Sequence, residues 1–258
     1  MNRFRSILLV LNWKSVIISL LAVVSTYTCE KLGLTADFPL ALITIAVVFP
    51  IVFSIGGAYK RRETALDQYG HLKAHGRAIY FAARDWPENP NPEVLQRGKD
   101  NLGILLKNCR NLFTAPVEET EKYEREIYST FSSLSHYIKS LRQYGLASGE
   151  ASRLNQYLSK MMVAFESIKH IYQYRTPKSL RVYSDIFIVL LPVLYGPYFA
   201  QFAGETAPGM QYLLPVLLSI ILVSLDNIQD HLENPFDQIG ADDVMINAEK
   251  FVSFLDPD

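Results

Sequence analysis

The 258-residue chain balances 25 Lys and Arg against 26 Asp and Glu, so its net charge of −1 supplies no basic field of the kind that draws nucleic acid. Two cysteines are too few for a disulfide framework. Mean hydropathy is +0.09 with 20% charged residues, yet the two are segregated, with four apolar runs set around a charged middle block.

The chain opens on "MNRFRSILLVLNWKSVIISLLAVVSTYTCE", basic and then apolar, a pattern that cleaved leader peptides share. No small-x-small cleavage site stands at its end, and it begins a series of similar segments. It therefore reads as a retained first span over about residues 7–27, interrupted by Asn12 and by Lys14, whose stem is expected to snorkel to the interface. The second run, "PLALITIAVVFPIVFSIGGA" over residues 39–58, has no charged residue. Neither does "IFIVLLPVLYGPYFAQFAG" over 186–204, nor "APGMQYLLPVLLSIILVSL" over 207–225. Each is close to the ~20 residues a helix needs to cross a bilayer. Pro50, Pro192, Pro197 and Pro215 lie inside these runs. Each removes a helix hydrogen bond, which neighbouring helices in a membrane bundle can compensate. Gly56-Gly57-Ala58 allows close helix approach.

Basic residues set the orientation. Arg3, Arg5 and Lys14 flank the first span, Lys60, Arg61 and Arg62 follow the second, and Arg175, Lys178 and Arg181 precede the third. The two short loops on the other side hold only Lys31 against Glu30, Asp37 and Glu205. By the positive-inside rule both termini and the middle block face the cytoplasm. Cys29 and Cys109 then fall on opposite sides of the membrane and are not expected to pair.

The middle block spaces its apolar residues three and four apart and reads as a series of amphipathic helices. "PENPNPEV" breaks the first of them, Pro92 starts the next, and Gly145 offers a C-terminal stop. No repeat period is evident. The fold class is an all-α membrane protein: transmembrane helices 1 and 2 in 1–58, a cytoplasmic helical region in 59–182, transmembrane helices 3 and 4 in 183–228, and a cytoplasmic C-terminal segment in 229–258.

Signs of catalysis are few. His71 and His75 have zinc-ligand spacing on a helix but no Glu beside the first and no evident third ligand, which favours a packed or solvated face. Asp226 and Asp230 share a helix face at a membrane surface, where paired carboxylates could hold Mg²⁺ for a diphosphate substrate. Such an enzyme needs a second acidic pair on another span, and none is present. No nucleophile triad and no phosphate-cradling glycine loop stands out. Passage is the other option. Phe38, Leu42, Ala46, Phe49 and Phe53 recur on one face of the second span, a face that could meet lipid, a neighbouring helix or a pore axis. An apolar constriction can gate by dewetting, and four helices per chain would need several subunits to enclose a path. A membrane scaffold whose helical block binds partners is a further reading.

Four pieces in order resemble the bestrophin family: "FPLALITIAVVFPIVFSIGGAYKRRE", "YRTPKSLRVY", "LPVLY" and "HLENPFDQIGADDV". The resemblance spans most of the chain, especially with prokaryotic members. It implies a homopentameric ion channel with one central pore and no cofactor required, conducting chloride or other monovalent anions or, as in some prokaryotic members, monovalent cations. Alignment on Pro39 carries the family's hydrophobic neck to Phe38, Leu42 and Ala46, the last smaller than the family often has. A second, cytoplasmic aperture falls near Met162 to Phe165. Asp37, just outside Phe38, would ring the pore mouth and favour cations there. The family's Ca²⁺ clasp carries to His231, Asn234, Asp242 and Asp243, although two extra residues separate Phe236 from the Asp pair. Without calcium, Asp242 and Asp243 would serve as helix-starting or inter-subunit polar contacts.

Overall fold

A computed structural model describes residues 12–37, 39–174, 177–203, 209–236 and 243–256. Among these residues the regular structure is helical throughout, in agreement with the all-α reading. The helices are α1 Trp13–Leu32, α2 Leu40–Asp85, α3 Pro92–Thr114, α4 Val117–Leu141, α5 Ser148–Gln173, α6 Lys178–Leu194, α7 Gly196–Gln201, α8 Met210–Glu233 and α9 Ala248–Ser253. Four segments are long and apolar enough to cross a membrane: Trp13–Leu32, Ile43–Asp85, Lys178–Gln201 and Met210–Glu233.

The chain divides into two compact units, Met1–Lys60 with Arg175–Asn234, and Arg61–Tyr174 with Pro235–Asp258. In the first unit α1 packs against α6, α7 and α8. Its core is small: Ile18, Val47, Ile51, Ile188, Leu191, Tyr195, Phe199, Leu222 and Val223. Large apolar side chains stay outside it, among them Trp13 at 75% exposed, Val16 at 69% and Phe53 at 64%. An outward surface of this kind suits hydrocarbon and not water, because helices satisfy their backbone internally and leave only apolar atoms to the surroundings. The second unit has a conventional larger core, in which Leu72, Ile79, Leu105, Ile127, Leu134, Leu154 and Phe165 are almost fully buried.

Local chemistry explains the ends. Asn12 caps α1, its side chain accepting from the Ser15 amide. Asn91 caps α3 by accepting from the Glu93 and Val94 amides, with Pro92 at the first helical position as expected. After α4 a short 3₁₀ turn ends at Gly145, whose φ of +91° is the left-handed conformation that glycine adopts without strain.

Two helix boundaries add detail to the sequence reading. No break separates the second span from the amphipathic helix after it, and α2 runs unbroken for 46 residues. Lys60, Arg61 and Arg62 end the apolar stretch but are good helix formers, so a change of solvent does not end the helix. Conversely the third run is two helices, α6 and α7, parted at Tyr195. Pro197 cannot donate to the Val193 carbonyl, and Ser25 of α1 donates to it instead at 2.7 Å.

Candidate functional site

The membrane portion of α2 has two faces. Val47, Ile51, Ser54 and Ala58 recur at three- and four-residue spacing and are buried in the first unit. On the opposite side Ile45, Phe49, Val52 and Phe53 are each more than half exposed, and Ala46 lies with them. The Phe49 and Phe53 rings pack edge to face, 4.6 Å apart, so the uncovered face is an ordered aromatic surface. Of the predicted neck, Ala46 lies on this face, Leu42 lies in α2, and Phe38 falls outside the described residues. Asp37 precedes the helix and is exposed.

Pro50 sits inside α2 without ending it. Its missing amide frees the Ala46 carbonyl, and the Tyr183 hydroxyl of α6 donates to that oxygen at 3.2 Å. The backbone at Ala46 is thereby held by a neighbouring helix. Ser25 at Val193 repeats the arrangement, with a side-chain donor from another helix replacing what proline withholds.

The acidic exit from α8 is engaged by cations. Lys14 meets Asp226 at 2.5 Å, with the Asp226 side chain only 3% exposed. Beside it Asn12 donates to Asn227 at 2.9 Å. One turn on, Arg181 of α6 bonds both Asp230 and Glu233. Lys14, expected to snorkel to the interface, directs its ammonium to a buried carboxylate on another span. The paired carboxylates considered for Mg²⁺ each hold a protein cation, so neither stands free as a ligand. Their depth was a signal available in the sequence, since the first span starts on the side where the fourth ends.

His71 and His75 stack at 6.1 Å between ring centres, His71 beside Asp67 at 3.6 Å and His75 against Tyr157. Among the described residues no group of three or more His, Cys, Asp or Glu is placed to hold a metal. For the calcium candidate, His231 and Asn234 close the first unit while Asp243 belongs to the second, and Asp242 lies outside the described residues.

At the candidate aperture on α5, Met162 is 37% and Val163 62% exposed. Phe165 is different. It is fully buried against Tyr128 and Phe131, so between Met162 and Phe165 the exposed side chains are those of Met162 and Val163. One turn beyond, Lys169 bridges Glu124 at 2.9 Å and Glu166 at 2.8 Å. Burial works against its charge, but bonds to Glu166, Tyr128 and Glu124 outweigh this and raise its pKa.

No protein-family model and no curated protein matches the sequence. Solved structures do. A bacterial bestrophin homologue from Klebsiella pneumoniae, determined as a point variant, superposes with a TM-score of 0.67 at 18% identity, covering 93% of this chain and 94% of that one. A second structure of that homologue gives a TM-score of 0.64 at 17% identity, with 93% of each chain covered. A further membrane-protein variant gives 0.75 at 18% identity, over 94% of this chain and 97% of the other. With four apolar helices and this near-complete superposition, the chain is a multi-pass membrane protein with the bestrophin fold.

Proposed function

We propose that the chain is one subunit of a homopentameric channel that conducts chloride or other monovalent anions. The path runs along α2, through a neck at Phe38, Leu42 and Ala46 and past an aperture near Met162. The uncovered apolar face of α2 carries this reading. Ile45, Phe49, Val52 and Phe53 turn away from their own unit in a fold shared with bestrophin homologues. A ring of such faces around one axis makes a passage that wets or dries with small changes in width. In this reading both termini are cytoplasmic, the protein lies in the inner membrane, and no cofactor is required.

Asp37 supports a second reading of the same architecture. It is exposed just before the neck, and five copies would draw cations to the mouth. Purified protein in planar bilayers under asymmetric KCl separates the two through the sign of the reversal potential. Asp37→Asn moves it toward anions if the mouth ring contributes, and repeating the measurement with Ca²⁺ tests for a calcium effect. Leu42→Ala raises conductance or open probability. Well-folded pentamers that stay silent, with Leu42→Ala equally silent, refute conduction.

A further inference from the structure

The second unit holds a recess of about 430 Å³ between α2 and α9, lined by Tyr69, Lys73 and Arg77 on one side and Asn247, Lys250 and Phe254 on the other. Three cations meet there, and no carboxylate lines the recess among the described residues. Lys73 and Arg77 stand one turn apart on α2, a like-charged spacing that is unfavourable by itself. Aromatic faces hold both: the Lys73 ammonium lies 4.3 Å from the Tyr69 ring centre and the Arg77 guanidinium 5.5 Å from that of Phe251.

The neighbouring acids are committed elsewhere. Glu249, on α9 itself, pairs with both guanidinium nitrogens of Arg110 at 2.9 and 3.0 Å. Asp256 is bonded by Lys99 and Tyr80. The remaining polar groups are oriented as donors. The Tyr69 hydroxyl accepts from the Asn247 amide, which leaves its own proton free to donate. The Asn247 side-chain oxygen accepts from the Lys250 amide at 2.7 Å, which leaves its NH₂. Phe254 adds a ring, 58% exposed, at the rim.

We propose that this recess binds the clustered phosphates of an organic phosphate, with Lys73, Arg77 and Lys250 on the phosphate oxygens and Phe254 against the planar or apolar remainder. A multivalent anion suits a site with only donors and cations, and relieves the repulsion among the three charges. The site lies wholly in the second unit and is independent of the conduction proposal, so its test requires no current.

Full-length protein in phosphatidylcholine nanodiscs is titrated calorimetrically with inorganic pyrophosphate and with ADP. Saturable binding of pyrophosphate is expected, and Lys73→Gln, Arg77→Gln and Lys250→Gln each weaken it roughly tenfold, as befits loss of a charge-assisted hydrogen bond. Lys107→Gln, which removes an exposed cation outside the recess, changes affinity by less than about twofold because a solvated charge is screened. Phe254→Ala weakens ADP and spares pyrophosphate if the ring takes the organic part. Adding phosphatidic acid to the nanodiscs distinguishes sources: competition with pyrophosphate in the wild type identifies a lipid headgroup as the occupant, and its absence a soluble phosphate. Pyrophosphate also raises the unfolding temperature of the wild type and not of the triple Gln variant. No saturable binding, or equal affinity in the triple variant and the wild type, overturns the proposal.

Discussion

The ion pair between Lys14 and Asp226 is built asymmetrically, and a double-mutant cycle reads the asymmetry. Asp226 is 3% exposed and Lys14 33%, with 2.5 Å between nitrogen and oxygen. Lys14→Met keeps the apolar stem but strands a carboxylate inside the first unit. Breaking a buried pair from one side costs about 3–5 kcal/mol, and the part exposure of Lys14 places the loss near the lower end, about 3 kcal/mol. Asp226→Asn leaves the ammonium instead, and its flexible stem can carry it to water, so that loss is nearer about 1 kcal/mol. In Lys14→Met/Asp226→Asn the stranded charge is gone, and a coupling of about 2 kcal/mol remains as the difference from additivity. Thermal unfolding of detergent-solubilised protein, followed by circular dichroism, measures this. At this chain length about 1 kcal/mol corresponds to about 2–4 °C, so Lys14→Met lowers Tm by roughly 6–12 °C and Asp226→Asn by roughly 2–4 °C. Equal losses from the two single variants, or strict additivity in the double, refute the reasoning.

Two further outcomes follow from the second unit. A Cβ on Gly98 would lie 2.4 Å from the Tyr137 hydroxyl oxygen, and Tyr137 is buried and cannot swing aside, so Gly98→Ala costs about 1–3 kcal/mol. Gly149, with nothing within 4 Å of its Cβ position, tolerates the same change, and the two melting curves check the contrast. The acid response of α9 rests on two carboxylates: Asp256, held low by Lys99 and then Tyr80, and Glu249, held low by Arg110. A depressed folded pKa stabilises above the ordinary carboxylate value of about 4 and is lost as pH falls through the folded value. The protection factor of residues 248–256, the intrinsic pH-dependent exchange rate divided by the observed one, is therefore flat from about pH 5 to 8 and falls only below about pH 4. A fall in protection near neutral pH would refute it.

Much of the architecture was legible because it depends on local chemistry. Apolar runs of bilayer length mark spans whatever they pack against, so the four crossings were evident. Asn91-Pro92 and Gly145 act through their own backbone, and they begin and end helices where expected. The break at Tyr195 was less legible: prolines inside the runs were noted, but which of them bends and which parts a helix depends on the donors nearby. Similarly, helical spacing placed Ala46, Phe49 and Phe53 on one face, but could not tell whether that face was covered. The structure leaves it uncovered within the chain. On α5 spacing was insufficient: Met162 and Phe165 are three residues apart, yet Phe165 turns into a core made by α4.

By itself, then, the sequence determined what each segment is and where it belongs: apolar helix in lipid, charged helix in water, and a chain that turns at proline, asparagine and glycine. These are properties of consecutive residues and their solvent. Tertiary structure alone decided which polar group answers which. Asn12 finds Asn227, Lys14 finds Asp226, Tyr183 finds the carbonyl that Pro50 frees, and Ser25 the one that Pro197 frees, across separations of 137 to 215 residues. In an apolar surround an unmet donor, acceptor or charge is costly, so each such group requires a partner. Which partner depends on the packing of whole helices, a property that no local stretch of sequence contains.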